Sequence, residues 1–364
     1  MKYYYRHPEE ISTEDESKEE SEKMILSILS KEFNAAVVDR TGNLNTFVEN
    51  MYPLPAPSIE KLDFNLLMDE RAEEIVEYAV DKGKKIRFEW NGLMTTTSAL
   101  LSIIRYITDK ENMPELTVFV VGKADTKRPD FYKKWIENNE LLNVQHVTNM
   151  SNRVHMKSEN GLDYITVNDA GGQNLFSVGY MTFSDHTTPF KDICEPEFYE
   201  IIKPILDKMP EDWNNEDPLT TTYTSSALHW LNFVLKWQWV SLKRFIKSPL
   251  EFDDIKCFYH TDKFQQWFYQ VPPLGKHVDL MNKKSHWHCR QYIWQYHDDE
   301  SMQQCQYVTG RSYRNMESQQ TETNPILHKG RYCVGIDTDF GKHWRDKGDI
   351  QFEVIEDDNE TLAS

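Results

Sequence analysis

A nine-residue segment, Trp90 to Ser98, combines the residue types that bind phosphate at the start of a helix. It reads Trp-Asn-Gly-Leu-Met-Thr-Thr-Thr-Ser and lies between a predicted strand, Lys85–Trp90, and a predicted helix, Ser98–Ile107. A helix N-terminus offers N–H groups and a positive dipole end to an anion, and a glycine lets a ligand approach the backbone. The four hydroxyl side chains are equally typical of plain helix capping, so both interpretations stand at this point.

A second polar turn, Asn168–Ser177, follows another predicted strand, Asp163–Val167. In parallel sheets, ligands bind beyond the carboxyl ends of the strands, so the two segments are expected at the same edge. Together they resemble the W-S-G-G-x-D-S-T loop and the T-G-E-x-G-D-Q-[LI]-F-G motif of one protein family. This is the asparagine-synthetase-like branch of the ATP-pyrophosphatase (PP-loop) superfamily, especially its small stand-alone versions in bacteriophage genomes.

Other segments extend the resemblance over roughly residues 86 to 307. Leu116–Asn138 is similar to the family's second strand and the helix after it, and Leu231–Gln238 and Phe258–Trp267 resemble its C-terminal helical segments. The family's C-terminal motif, K-x-x-x-[KR]-x-Y-I, is matched in order by His286, Arg290, Tyr292 and Ile293.

The resemblance implies a fold class and a chemistry. The fold would be α/β, with a parallel-sheet PP-loop domain of the adenine nucleotide alpha-hydrolase type and a mostly helical C-terminal domain. ATP would lie over the sheet edge with Mg²⁺ held by acids, and a substrate carboxylate would become an acyl-adenylate that ammonia converts to an amide. The implied nucleotide-binding positions are Asn91, Gly92, Leu93, Thr95, Thr96, Thr97, Gly171, Gly172 and Gln173. His286 and Arg290 fall on catalytic positions of the family, and Asp169 is the candidate metal ligand if the site is active.

The residues that depart from the family pattern are the ones that its chemistry needs. Thr95 replaces the loop aspartate and Leu93 its second glycine, while Ala170 and Gln173 replace both acids of the second motif. His286 replaces the lysine of the C-terminal motif. Neutral side chains compete poorly with the hydration shell of Mg²⁺, and a leucine narrows the space for phosphate. We therefore expect a degenerate, phage-encoded member that acts through protein contacts or self-assembly as a structural, virion-associated or regulatory component.

Two alternatives stay open. One is an ATP-dependent amide or amine ligase that releases AMP and pyrophosphate, with Asp169 shifted by one residue into the role of the missing glutamate. The other is a sensor module that binds ATP without turning it over. Position 2 is Lys2 and no cysteine precedes Cys194, so we expect no glutaminase domain in this chain.

Composition narrows the class of protein further. Of 364 residues, 41 are Lys or Arg and 59 are Asp or Glu, which gives a net charge of −18 and disfavours nucleic-acid binding. The five cysteines are widely spaced without a C-x-x-C pair, which favours free thiols in a reducing compartment. No stretch reaches about 18 apolar residues, so no membrane span is predicted. We expect a cytoplasmic protein, in the host cytoplasm or the virion if it is viral.

The chain is predicted to comprise three parts. Residues 1–60 form an acidic arm and a proline-rich strap, because residues 9–23 carry eight acids and two bases and Tyr52–Ser58 contains three alternating prolines. Residues 61–190 alternate between helix and strand patterns, which indicates a parallel α/β domain. Residues 191–364 are predicted to be helical and rich in aromatic residues, with the clearest helices at 197–209 and 223–246.

Three other groups of residues suggest weaker hypotheses. His286, His288 and Cys289 could bind zinc, but their spacing matches no zinc finger, and Cys257 with His260 lacks the third group that a thiol nucleophile needs. Aromatic residues at helical spacing beside a basic stretch could stack on nucleic-acid bases, although such residues usually belong to a core. The aromatic residues are Trp230, Phe233, Trp237 and Trp239, and the basic ones are Lys236, Lys243, Arg244 and Lys247.

Overall fold

The structure is a computed structural model that describes residues 38–43, 50, 52–108, 110–148, 163–176, 191, 196–210, 213, 224–246, 252–271 and 287–297. The predicted acidic arm at residues 9–23 lies outside these described residues. Within them, no helix is long and apolar enough to cross a membrane.

A five-stranded parallel sheet forms the centre of the protein, with the strands in the order β3-β2-β1-β4-β5. The strands are β1 (Lys85–Trp90), β2 (Leu116–Val121), β3 (Leu142–Val147), β4 (Tyr164–Asn168) and β5 (Ile255–Cys257). Every residue of β2 is buried, as its unbroken β-branched and aromatic run predicts for a strand covered on both faces. The α/β class and the parallel sheet are thus confirmed.

Helices cover the sheet and continue past it. In chain order they are α1 (Phe64–Asp81), α2 (Met94–Thr108), α3 (Ala124–Lys127), α4 (Pro129–Phe131), α5 (Gly172–Phe176), α6 (Pro196–Leu206), α7 (Thr224–Ile246), α8 (Asp262–Gln270) and α9 (Trp287–Tyr296). A π-helical turn, Tyr132–Glu137, continues α4, and a 3₁₀ turn, Phe252–Asp254, precedes β5. Helix α2 is almost wholly buried because it packs against β1, α1 and α9.

Strand β5 comes from the region predicted to be helical. Its three residues pair with the far side of β4, where Thr166 aligns with Ile255 and Asn168 with Cys257. A strand this short carries no periodic signal, which is why the sequence pattern missed it. Among the described residues, one hydrophobic cluster extends from Val38 through the sheet to Ile293 of α9. The boundaries at residues 60 and 190 remain predictions, but the segments on either side of them share this core.

The strap also belongs to the folded body. Tyr52–Ser58 has no regular secondary structure, as its prolines predict, and α8 holds the strap through two glutamines. Gln266 donates a hydrogen bond from Nε2 to the Ala56 carbonyl (2.9 Å), and Gln270 donates from Nε2 to the Ser58 carbonyl (3.4 Å). The strap therefore occupies a fixed position on the surface of α8.

Candidate functional site: the edge between strands β1 and β4

The loops that follow β1 and β4 leave the sheet side by side. Both strands are parallel and adjacent, with Phe88 aligned to Val167, so their carboxyl ends meet at one edge. From β1 the order runs outward to β2 and β3 on one side and to β4 and β5 on the other. The gap between β1 and β4 is therefore the switch point at which open α/β sheets bind their ligands. The predicted juxtaposition of the two loops is confirmed.

The loop after β1 is closed by its own side chains. Asn91 accepts two hydrogen bonds at Oδ1, one from the Leu93 N–H (2.9 Å) and one from Thr96 Oγ1 (2.7 Å). Gly92 has φ +75°, a left-handed conformation that disfavours residues with a Cβ. A Cβ at this position would lie 3.1 Å from the Ala124 carbonyl oxygen, so the segment that begins α3 presses against the glycine. The glycine thus permits close packing of protein on protein here.

All four hydroxyls at the start of α2 are engaged inside the protein. Thr95 donates from Oγ1 to Asp169 Oδ2 (2.7 Å), which links the two loops directly. Thr97 Oγ1 accepts from the indole N–H of Trp90 (3.0 Å), and Ser98 Oγ donates to the Met94 carbonyl (2.8 Å). Thr96 bonds to Asn91, as described above, and each of the four hydroxyl residues is at most 1% exposed. In the described part of the chain, none of these hydroxyls accepts a backbone N–H of the first turn, so they are not helix caps; they bond to neighbouring side chains and carbonyls instead.

The loop after β4 packs tightly against the β1 loop. Asn168 Oδ1 accepts from the Ala170 N–H (2.9 Å), and Gly171 adopts φ +90° against the ring of Trp237. A Cβ on Gly172 would lie 2.9 Å from Thr95 Cγ2, so this glycine is required by its contact with Thr95. The side chain of Gln173 lies outside the described part of the chain. The glycines of both loops hold the loops against their neighbours.

A buried polar cluster that the sequence did not reveal supports the start of α2 from below. The hydroxyl of Tyr259 donates to the Thr95 carbonyl (2.9 Å) and lies 2.7 Å from Ser98 Oγ and 3.8 Å from Cys289 Sγ. Burial raises the pKa of Tyr259 and raises the pKa of the Cys289 thiol to about 12, so both stay protonated at neutral pH. The only sequence signal was that Tyr259 falls in Phe258–Trp267, a segment of the family resemblance.

Two basic residues also contact the β1 loop. Lys127 donates from Nζ to the Asn91 carbonyl (3.2 Å), and the buried Arg128 donates from Nε to the Gly92 carbonyl (3.4 Å). Both come from α3 and the residue after it, beyond the carboxyl end of β2. They give this edge a local positive charge, although both hydrogen bonds go to loop carbonyls.

The donor atoms at this edge do not suit Mg²⁺. Asp169 contributes one carboxylate, and one of its oxygens accepts the Thr95 hydroxyl. Magnesium demands near-octahedral oxygen ligands and is usually held by carboxylates together with substrate phosphates. Within the residues that the structure describes, no group of three or more His, Cys, Asp or Glu side chains could hold a metal ion. A hard divalent cation is therefore poorly matched to these residues.

The residues of the C-terminal motif are divided between the core and the undescribed part of the chain. His286 lies outside the described residues, while Arg290 is a buried residue of α9 (1% exposed). Tyr292 is also buried, and its hydroxyl donates to Asp69 and accepts from Arg105 Nη1 (2.7 Å). Tyr292 thus fastens α9 to α1 and α2, away from any reacting group at the loops.

The described residues behind the weaker sequence hypotheses belong to the protein core. Trp230, Phe233 and Trp237 are buried, as expected of aromatic residues at helical spacing. The ring of His260 stacks on Trp237 (centroids 4.8 Å apart, planes at 18°), and burial lowers the pKa of His260 to about 3. Cys257 and Cys289 are buried and form no disulfide. These contacts make His260 a packing residue.

The comparisons with known proteins add no relative. No protein-family model, curated protein or solved structure matches the chain. The interpretation of the β1–β4 edge therefore depends on its residues and their geometry.

Proposed function

We propose that this chain is a non-catalytic, asparagine-synthetase-like PP-loop protein that acts through protein contacts, as a structural, virion-associated or regulatory component of phage origin. The strand order and the two adjacent loops support the scaffold part of the proposal, because they supply a switch point at the expected segments. The C-terminal helices that pack on the same core are compatible with the helical region of that family.

The hydrogen bond between Thr95 and Asp169 carries the non-catalytic part of the proposal. Thr95 stands where the resemblance places the family's loop aspartate, and Asp169 is the carboxylate of the second motif segment. In this arrangement the threonine occupies one oxygen of the aspartate, and among the described residues no group of three or more His, Cys, Asp or Glu side chains could hold a metal ion. Without a cation, charge on a departing pyrophosphate would not be neutralised, which removes a large part of the transition-state stabilisation.

Exposed apolar side chains support a role in protein contacts. Ile59 of the strap is fully exposed, and Leu66 of α1 and Trp294 of α9 are 57% and 44% exposed. Asn65 next to Leu66 donates to Gln295 next to Trp294 (3.0 Å), so the two side chains belong to neighbouring turns of α1 and α9. A partner or a second copy of the chain would remove these side chains from water, which favours association.

An assay of pyrophosphate release tests the absence of catalysis. Purified protein is incubated with ATP, Mg²⁺, ammonia and each amino acid, and the expected result is no release above a blank. Asp169→Ala is the matched variant, and wild type and variant are expected to be indistinguishable. ATP turnover to AMP in the wild type that disappears in Asp169→Ala would overturn the proposal and establish the ligase alternative.

Lys127 and Arg128 favour a second candidate function, an ATP-binding sensor without turnover. Their positive charges lie beside the β1 loop and would attract a triphosphate if the carbonyls of Asn91 and Gly92 released them. Saturable ATP binding that needs Lys127, without pyrophosphate release, would favour this candidate over an empty scaffold.

A further inference from the structure

A second concave region lies beside the strap, and its lining includes no residue of the β1 or β4 loop. It is an open cavity of about 1160 Å³ between the strap, the first turn of α1, the segment after α6, and helices α7, α8 and α9. We call it the strap pocket, and the residues that matter here are Arg40, Lys61, Asp63, Lys208, Trp267 and His288. Its size is sufficient for a ligand of drug-like or nucleotide dimensions.

Arg40 is the most unusual residue of the strap pocket, because it is a buried cation (3% exposed) whose hydrogen bonds to the described residues all go to neutral groups. It donates from Nε to the Tyr52 carbonyl (2.6 Å) and from the two Nη atoms to the carbonyls of Phe233 and Pro53 and to Gln265 Oε1. Four hydrogen bonds leave one of the five guanidinium N–H groups for a ligand. Burial lowers the pKa of Arg40 to about 10, with attraction from Tyr269 and Asp262 opposing the shift, so it stays charged at neutral pH.

The charge of the strap pocket is positive although the protein carries −18. Arg40, Lys61 and Lys208 line it against one acid, Asp63, which caps α1 by accepting from the Leu66 N–H (3.0 Å). Among the described residues, no carboxylate lies within salt-bridge distance of any of these three cations. A buried charge without a counter-ion is unfavourable, and an anion that enters the pocket would relieve this cost.

Aromatic rings form much of the remaining wall. The rings of Trp267 and His288 meet edge to face (centroids 4.8 Å apart), and Phe64 packs against both. Burial lowers the pKa of His288 to about 4, so its imidazole is neutral at pH 7 and adds no charge to the pocket. Apolar rings beside a fixed cation suit a ligand that has an aromatic body and an anionic end.

We propose that the strap pocket binds a small molecule that joins an oxyanion, either carboxylate, sulfonate or phosphate, to an aromatic ring. Arg40 contacts the oxyanion through its remaining N–H group, Lys61 and Lys208 attract it from the rim, and the ring lies against Trp267 and His288. The lining of this site includes none of the residues that form the two loops of the β1–β4 edge.

Two fluorescent probes with the same aromatic body test the proposal. 8-Anilinonaphthalene-1-sulfonate carries an oxyanion, and N-phenyl-1-naphthylamine lacks it. Each is titrated into the wild type, into Lys61→Gln/Lys208→Gln, and into the control Lys82→Gln/Lys133→Gln, which removes two exposed lysines elsewhere. We expect the pocket variant to lower the affinity for the sulfonate about fivefold or more and to leave the neutral probe unchanged. The control variant should bind both probes like the wild type.

Arg40 provides a second comparison. Arg40→Lys keeps the charge and Arg40→Gln removes it, so sulfonate binding should be weaker in the glutamine variant than in the lysine variant when both are folded by circular dichroism. If either variant fails to fold, the rim lysines still decide the outcome. Equal loss in the pocket and control variants, or equal loss for the charged and neutral probes, would overturn the proposal. Because no residue of the β1–β4 edge is altered, either result leaves the pyrophosphate assay unaffected.

Discussion

The polar groups of the β1–β4 edge are bonded to one another, whereas the charged groups of the strap pocket line an open cavity. At the edge, Thr95 bonds to Asp169 and Thr96 bonds to Asn91, and glycine contacts leave little space between the loops. In the strap pocket, Arg40 and two lysines line a large cavity, and no described carboxylate lies within salt-bridge distance of them. The β1–β4 edge, which resembles a known motif, thus uses its polar side chains for hydrogen bonds within the protein. The strap pocket, which resembles no motif, is the region whose charged side chains could bind a ligand.

The largest expected effect comes from the cluster below the β1 loop. Tyr259→Phe removes the hydroxyl that bonds to the Thr95 carbonyl and contacts Ser98, so a buried polar network loses two of its contacts. We expect the free energy of unfolding to fall by about 2 kcal/mol. Tyr132→Phe is the control, because its hydroxyl contacts only the exposed His146 and should cost less than about 0.5 kcal/mol. Urea unfolding measures both, and equal losses would show that the loop is not supported from below.

Acid should reveal the packing role of His260. Its folded pKa of about 3 lies below the value of 6.5 for the unfolded chain, so between those pH values the unfolded state binds more protons. The contribution of neutral His260 to the free energy of unfolding is fully present above pH 6.5 and is lost as the pH falls toward 3. By pH 5 this single group accounts for up to about 2 kcal/mol.

Two histidine variants isolate that contribution. His260→Gln should flatten the fall in unfolding free energy between pH 7 and pH 5, whereas His146→Gln, at an exposed position, should leave the slope as in the wild type. Urea titrations at several pH values give the slopes. A His260→Gln protein with an unchanged slope would contradict a neutral, buried imidazole.

Glycine substitutions measure how closely the loop after β1 is packed. Gly92 and Gly83 share a positive φ, but a Cβ at Gly83 would meet nothing within 4 Å, while one at Gly92 would press on Ala124. Gly83→Ala should cost about 1 kcal/mol for backbone strain alone. Gly92→Ala should cost about 1 kcal/mol more because of the added contact. Equal losses in thermal or urea unfolding would mean that the loop has room for a ligand.

The smallest expected effect is the coupling between Thr95 and Asp169. A double-mutant cycle with Thr95→Val and Asp169→Asn should give an interaction energy of about 1 kcal/mol, the usual value for such a hydrogen bond. A coupling of zero would indicate that the two loops are not joined in solution, which would make Asp169 available to a metal ion.

Sequence patterns predicted the sheet better than the site. Strands β1, β2 and β4 are buried runs bounded by turns, and parallel topology alone required the loops after β1 and β4 to meet. The hydroxyl bonds of Thr95 to Thr97 were not predicted, because the sequence offered capping or phosphate binding and the partners are Asp169, Asn91 and Trp90. The contact of Tyr259 with the Thr95 carbonyl joins positions 164 residues apart, and no local pattern encodes it.

The strap pocket could not be predicted from the sequence either, because it is formed by residues far apart in the chain. Its walls come from Arg40, the strap, the start of α1, the segment after α6, and helices α7, α8 and α9, several of which are separated by long stretches of chain. Arg40 itself lies in a stretch of mixed composition, and only the fold shows that it is buried without a described carboxylate partner. A charged residue indicates a binding site only when its burial and its hydrogen-bond and salt-bridge partners are known.

Calorimetric titration of ATP with Mg²⁺ into the Lys61→Gln/Lys208→Gln protein tests the central claim most directly. That variant weakens the strap pocket, where an aromatic phosphate is also expected to bind, and leaves the β1–β4 edge intact. We predict no saturable heat, because the side-chain amide and hydroxyls of the β1 loop are already bonded within the protein. One-site binding that Asp169→Ala or Gly92→Ala abolishes would contradict this account and place a nucleotide at the edge between β1 and β4.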